Sequence, residues 1–474
     1  MELKNLVKCL KNVTPTPEQL KIIGVNRLGA EVIRGAAGSG KTTTAILRLK
    51  ALIGMNIRRR QQENSTKPIN ILVLTFNRTL KAYIEELTQA QIDDPRINLV
   101  ISNFAQWQLN MYTGHYHTTP TIVDQKALGY FIQSTVHNIQ LPSDFIENEV
   151  DYILGRFDPE KIDEYLVASR IGRGTKPRVS KEMRVQILDN IVFPFLKDLA
   201  DKDIHEWNEL TKYKIPNRQY DAIVCDETQD FTANQLRTIN SHLSNESSLT
   251  IVVDTAQRIY ARGYTWLETG IVVRPGRSHR LTINYRNSKE IAMLAASLLH
   301  NIPVDDDFTV PSLEKTISSG YLPDIVEASY SSQVEFTLKH IDNNVDLENE
   351  TVAFLHPKGG NWFKYLRSCL TQHGLAHINL TRMYEWPQGD ESIGLCTLHS
   401  AKGLEFDHVF VLGLNNECLS DWEDADDHRY ITTRKLLGMG VGRAKKSVII
   451  GYKPEAKSEI IDLIDPTLYN LVKI

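Results

Sequence analysis

Gly35-Ala36-Ala37-Gly38-Ser39-Gly40-Lys41-Thr42 is the stretch that decides the fold. It fits G-x-x-x-x-G-K-[ST], in which glycines let the backbone curl until its N–H groups converge on phosphate oxygens. Lys41 is spaced to reach β- and γ-phosphates and Thr42 to ligate Mg²⁺, while the helix that follows adds its positive end. An apolar pair at 32–33 precedes the loop as a strand would, and residues 41–53 have helical spacing. Such a loop needs a carboxylate at the end of another strand. Tyr220-Asp221-Ala222-Ile223-Val224-Cys225-Asp226-Glu227 supplies it, with Asp226 for the metal and Glu227 as general base for an attacking water.

Working outward, short apolar runs at 71–76, 99–101, 222–225 and 249–253 read as buried strands. A second series at 352–355, 393–398, 409–412 and 448–450 reads the same way. Buried runs alternating with helical stretches predict an α/β fold with parallel sheets covered on both faces. Between residues 111 and 216 the runs thin out and charged, helix-favouring sequence dominates, which predicts a mostly helical insertion. Within it Arg170, Arg173, Lys176, Arg178, Lys181 and Arg184 form a basic stretch that fits a nucleic-acid guide or a solvated surface equally well.

The 474 residues suggest roughly three domains at about 150 residues each. Lys and Arg total 54 against 58 Asp and Glu, a net charge of −4, so no global cationic field exists and any nucleic-acid contact must be local. Five cysteines, Cys9, Cys225, Cys369, Cys396 and Cys418, include no C-x-x-C pair and suggest neither a zinc ribbon nor a disulfide framework. The apolar runs are far too short to cross a membrane and residues 1–12 lack the pattern of a signal peptide, so a cytoplasmic protein is expected. Gly438-Met439-Gly440-Val441-Gly442 has the spacing of a dinucleotide fingerprint but lacks the strand before it and the acid after it. His115-Tyr116-His117 has no nearby carboxylate or thiol to complete a metal site.

The carboxylates continue as Asp226-Glu227-Thr228-Gln229-Asp230, a D-E-x-Q-D pattern that resembles motif II of superfamily 1 helicases of the UvrD/Rep type. The family's other motifs follow in order. Thr16-Pro17-Glu18-Gln19 resembles the Q motif, Thr75-Phe76-Asn77 motif Ia, and Ser102-Asn103-Phe104 the next strand-end motif. Asp254-Thr255-Ala256-Gln257-Arg258-Ile259-Tyr260 resembles motif III, and Asn284-Tyr285-Arg286 motif IV. Thr397-Leu398-His399-Ser400-Ala401-Lys402-Gly403-Leu404-Glu405-Phe406 is similar to motif V, and Val441-Gly442-Arg443-Ala444 to motif VI.

The resemblance implies two RecA-like P-loop NTPase domains: 1–110 with 216–283, interrupted by the insertion at 111–215, and then 284–474. It implies ATP and Mg²⁺, with Thr42 and Asp226 at the metal. Lys41, Asp226, Glu227, Gln257, Arg286 and Arg443 are the expected catalytic set, the two arginines reaching across when the cleft closes. Gln19, Gly35, Ala36, Ala37, Gly38, Ser39, Gly40, Thr42, Thr43, Tyr285 and Glu405 join Lys41 in holding the nucleotide. Phe76, Asn77, Asn103, Phe104, Tyr260, Thr397 and His399 are expected at single-stranded DNA, the aromatics by stacking and the polar groups on the backbone.

This sequence departs from the family after Tyr260, where Ala261-Arg262-Gly263 is one residue short and lacks a Trp. It also has Ala105 and Gly442 where His and Thr are usual. From Asn284 to Thr397 the chain is too short for the large inserted domain of full-size members. The implied function is that of an ATP-dependent 3′–5′ translocase/helicase on single-stranded or 3′-tailed DNA, which couples ATP hydrolysis to domain closure. The alternative is a regulatory, DNA-stimulated ATPase subunit of a bacterial defence or repair complex with a separate nuclease; RNA is a third substrate to weigh.

Overall fold

The Val, Ile and Leu runs fold as strands covered on both faces, as parallel pairing requires. The computed structural model describes residues 15–25, 27–35, 38–75, 95–124, 126–135, 139, 141–169, 177–212, 219–253, 264–284, 287–300, 302, 320–381, 391–402, 404–419, 422 and 427–474. The first sheet uses β1 (Gly29–Gly35), β2 (Ile69–Thr75), β3 (Ile97–Asn103), β6 (Tyr220–Cys225), β7 (Leu243–Val253) and β8 (Ser278–Leu281). Its order is β3-β2-β6-β7-β1-β8, with every pairing parallel. Alternate residues serve opposite faces. Leu72, Leu74, Ile223 and Cys225 enter one core, and Ile71, Val73 and Val224 enter the other.

The phosphate loop follows the carboxyl end of β1, and Asp226 follows that of β6. Only β7 lies between those strands, so both groups reach the same edge of the sheet. Beneath the loop, the helix Lys41–Gln62 runs past residue 53 and buries Arg48 completely. The Arg48 guanidinium donates to the Thr250 hydroxyl at 3.1 Å and to the Ile22 carbonyl at 3.3 Å, tying helix, strand and the preceding short helix Pro17–Ile23 together.

Between β3 and β6 the chain forms helices at Phe104–Tyr116, Ala127–Thr135, Ser143–Arg156, Lys181–Ile187 and Phe193–Asp201. Two-residue strands β4 (Thr121–Ile122) and β5 (Ile204–His205) pair and draw the segment's two ends together. The insertion has its own core around Phe145, Val150, Ile153, Tyr165 and Ile191. It is fastened to the first sheet's layer where Asn234 donates to the Leu154 and Phe157 carbonyls, each at 2.7 Å. Of its basic stretch, Arg184 is spent internally: it donates to the Tyr165 and Ala168 carbonyls at 2.8 and 2.7 Å and lies over the Tyr165 ring.

The second sheet comprises β9 (Asp324–Glu327), β10 (Val352–His356), β11 (His377–Asn379), β12 (Ile393–Thr397), β13 (Phe406–Val411), β14 (Ala444–Tyr452) and β15 (Asn470–Lys473). The order is β11-β12-β10-β13-β14-β9-β15, again parallel throughout. Helix Lys289–Leu298 packs on helix His428–Val441, and Arg434 donates to the Leu298 carbonyl at 3.0 Å. The glycines at 438 and 440 lie within that second helix. A Cβ on Gly438 would sit 3.3 Å from the Ala295 carbonyl, and one on Gly440 2.6 Å from Leu398 Cδ2. Their spacing serves close helix packing and explains why it looked like a nucleotide fingerprint without the flanking elements of one.

Gly440→Ala therefore overpacks the core and should cost about 1–3 kcal/mol. Gly54→Ala, on an exposed helix position with nothing within 4 Å of the new Cβ, should gain roughly 0.5–1 kcal/mol. Urea-unfolding midpoints should move in opposite directions for the two variants.

Candidate functional site

Two backbone positions shape the phosphate loop. Gly38 and Gly40 have φ of 80° and 74°, a region costly to any residue with a Cβ. Gly40 caps helix Lys41–Gln62, so Lys41, Thr42 and Thr43 form its first turn, with their N–H groups at the positive end of the helix. The loop turns tightly enough that a Cβ on Gly35 would lie 2.4 Å from the Ser39 hydroxyl.

Gln19 lies against this loop and is 3% exposed. Its side-chain oxygen accepts from Thr16 N at 3.0 Å in a capping box, and its amide nitrogen donates to the Ser39 carbonyl at 3.4 Å. The glutamine expected to help hold the nucleotide is here bonded to backbone.

Asp226 is 3% exposed. Burial, reinforced by neighbouring Glu227, pushes its carboxyl up to about 7, while the Thr42 hydroxyl and Lys41 ammonium pull the other way. Oδ1 accepts from Glu227 N at 2.9 Å; Oδ2 is buried without a hydrogen-bond partner. A buried carboxylate with one orphaned oxygen, beside a hydroxyl and an ammonium at a phosphate loop, fits a hydrated divalent cation. Glu227 takes left-handed angles, φ 52° and ψ 39°, and its carboxylate accepts from the Gln229 amide. That bond holds the carboxylate in one orientation at the sheet edge.

The same short turn ends at Asp230, 1% exposed, whose carboxylate meets the Lys402 ammonium at 2.5 and 2.6 Å. Lys402 belongs to the turn after β12 and is 8% exposed. A buried ion pair thus joins the carboxylate loop of the first sheet to the second sheet. In the Lys402 turn the Thr397 hydroxyl accepts from Ser400 N at 3.1 Å, and the Ala401 and Lys402 N–H groups donate to the Thr397 and His399 carbonyls. His399 is exposed and Thr397 half-buried. Sequence reading quoted Asp230 and Lys402 without giving them a role; the signal was two opposite charges within otherwise apolar or catalytic runs.

Arg443 stands between helix His428–Val441 and β14, is 3% exposed, and directs Nε at Met439 Sδ, 3.4 Å away. Glu405 is exposed and pairs with Lys445 at 3.4 Å. The structure brings Lys41, Thr42, Asp226 and Glu227 into one cluster. Ala36, Ala37, Phe76, Asn77, Gln257, Tyr260, Tyr285 and Arg286 lie outside the described residues.

Phe104 is corrected as a base platform. It is 3% exposed and packs against Trp107 and Phe231 in the first core, ring centroids 5.5 and 5.8 Å away, so neither face is open to a base. Asn103 caps the helix that Phe104 begins, accepting from Gln106 N at 2.8 Å, which leaves its amide N–H₂ as the group able to meet a strand.

Residues 16–263 match the family model of the UvrD/REP helicase N-terminal domain, and residues 365–455 that of the UvrD-like helicase C-terminal domain. The chain belongs to the UvrD/Rep helicase family. A Mycoplasma pneumoniae protein described as "Probable DNA helicase" is 23% identical over 462 residues, covering 89% of this chain and 80% of that one. DNA helicase II of Haemophilus influenzae is 28% identical over 149 residues, 27% of this chain and 20% of that one. The solved C-terminal domain of a possible DNA helicase from Lactobacillus plantarum WCFS1 is 21% identical, covering 40% of this chain and 98% of its own, with a TM-score of 0.30. No helix among the described residues is long and apolar enough to cross a membrane.

Within this UvrD/Rep chain, β10 carries a buried histidine beside the Thr397 turn. His356 pairs in register with Thr397, its Nδ1 accepts from Lys358 and Gly359 N–H at 3.1 Å, and its ring stacks on Trp362 at 5.0 Å. Burial, with Lys358 adding to it, lowers its pKa from 6.5 to about 4. The unfolded chain therefore takes up this proton first. Stability from His356 is present above about 6.5 and is lost as pH falls toward about 4. Urea midpoints should drop across that window, and His356→Asn should show a shallower drop than wild type.

Proposed function

We propose that this chain is an ATP-dependent translocase on single-stranded DNA, moving 3′ to 5′, with Mg²⁺ as cofactor. The observation that carries the proposal is the buried Asp230–Lys402 pair, which links the nucleotide-side carboxylates to the turn bearing Thr397 and His399. The polarity rests on the family resemblance. Gly38, Gly40 and the first turn of helix Lys41–Gln62 present N–H groups to the phosphates, and Lys41 adds a point charge where the γ-phosphoryl oxygens gather charge. Thr42 and Asp226 hold the cation, which when bound draws charge from the phosphate oxygens. Glu227, oriented by Gln229, accepts a proton from the attacking water. Arg286 and Arg443 supply the cationic side from the second sheet on closure, Gln257 reports the γ-phosphate, and Tyr285 and Glu405 hold the nucleoside. Thr397, His399, Asn77 and the Asn103 amide grip the DNA backbone, while Phe76 and Tyr260 offer stacking faces.

Glu227→Gln should reduce single-stranded-DNA-stimulated phosphate release by about 10²–10⁴-fold with ATP binding kept. Lys41→Ala should weaken ATP binding itself. Near-wild-type turnover in both variants would overturn the site. Displacement of a 3′-tailed but not a 5′-tailed duplex carries the translocase reading, with RNA strands as the parallel arm. ATPase without displacement would favour a regulatory subunit working beside a nuclease, a reading favoured by the short span from Asn284 to Thr397.

Lys402→Ala removes the ammonium that faces the buried Asp230 carboxylate, at a cost of about 3–5 kcal/mol. The double variant Lys402→Met with Asp230→Asn should recover most of that stability in thermal melts. It should not recover the stimulation of ATPase by DNA, because the charge link between the two loops is gone.

A further inference from the structure

Positions 285 and 286 are bracketed by two asparagines that close on one another. Asn284 Nδ2 donates to Asn287 Oδ1 at 2.9 Å, and Asn287 N donates back to Asn284 Oδ1 at 3.2 Å. Both residues are 2% exposed. The remaining hydrogen-bonding capacity of Asn287 crosses to another part of the chain. Its amide nitrogen donates to the Gly442 carbonyl at 3.0 Å and to the Ala444 carbonyl. Those carbonyls belong to the residues on either side of Arg443. The Arg443 carbonyl itself accepts from Phe406 N at 3.0 Å. Three consecutive carbonyls are therefore pinned where helix His428–Val441 gives way to β14.

Asparagine is the side chain this junction calls for. Two N–H bonds are needed for two carbonyls and one oxygen for the Asn284 amide, and a primary amide supplies all three in one plane. Serine would offer a single donor. Aspartate would set a carboxylate against two carbonyl oxygens, unsatisfied and buried.

We propose that Asn287 is a positioning residue that holds the turn carrying Arg443, so that this arginine is set to reach the triphosphate. The inference rests on the reading of Arg443 given above and deepens it. A guanidinium displaced by about 1 Å from a developing charge can lose about 10²-fold in rate, while ground-state binding, carried by the phosphate loop on the other sheet, is little affected.

The test is a double-mutant cycle in the full chain, with saturating single-stranded DNA, on wild type, Asn287→Ala, Arg443→Ala and the double variant. Turnover and KM for ATP are measured, together with the affinity for a non-hydrolysable ATP analogue. Asn287→Ala should lower kcat by about 10–10²-fold. The KM and analogue affinity should stay within about threefold of wild type, and the double variant should be no slower than Arg443→Ala alone. Should Asn287→Ala fail to fold, Asn287→Ser, which keeps a single donor at the junction, enters the same cycle. Multiplicative losses in the double variant, or an unchanged kcat for the Asn287 variants, would overturn the positioning role while leaving the arginine reading intact. An unchanged kcat for Arg443→Ala would overturn both.

Discussion

The ion pair between Asp230 and Lys402 is the contact on which the rest of the arrangement turns. Its two charges lie almost wholly out of water, one beside each sheet. Either charge alone would be costly in that setting, so the two loops have little freedom to part without an alternative partner or hydration. One end of the pair is continuous with Thr228, Gln229 and Glu227, and the other with the tight turn of Thr397 to Ser400. The pair therefore ties these two turns directly to one another.

Support beneath the site follows the same rule of buried polar groups finding partners. Glu31 is fully buried on β1, facing Arg27 at 3.2 Å and His279 at 2.7 Å. Arg48 spans helix, strand and the Gln19 helix. These contacts lie at or below the start of β1, so the strand that delivers the phosphate loop is anchored at its opposite end. Charged residues in a helix and a strand normally read as solvent-facing, and here they are buried and paired near the end of the sheet opposite the glycine loop.

Much of the architecture was legible because its signals are local. Glycines at fixed spacing, a lysine and a threonine can be read from a few residues, and strands buried on both faces announce themselves as unbroken apolar runs. β9, β11 and β15 were not legible. They are three or four residues long and mix Asp, Asn, His and Lys with Ile and Val; β9 and β11 pair with the longer β14 and β12, and β15 in turn pairs with β9 at the sheet's edge. Phe104 was misread for a related reason. Its place after a strand-end asparagine suggested a ligand edge, yet Asn103 followed three residues later by Gln106 is also the opening of a helix, and the ring turns inward with that helix. The Asp230–Lys402 link spans 172 residues of sequence, and no periodicity could reveal it.

Glu227 holds a backbone shape that suits glycine or asparagine better than an acid, at a cost of roughly 1–2 kcal/mol. The turn keeps that shape because Asp226 must stay at the strand end while the next carboxylate swings out beside it. Glycine at 227 would take the same shape without that cost, but would bring no carboxylate to the end of β6. Of the non-glycine residues with left-handed angles among the described residues, Glu227 is the one that stands beside Asp226, so the strained turn and the buried carboxylate share one strand end.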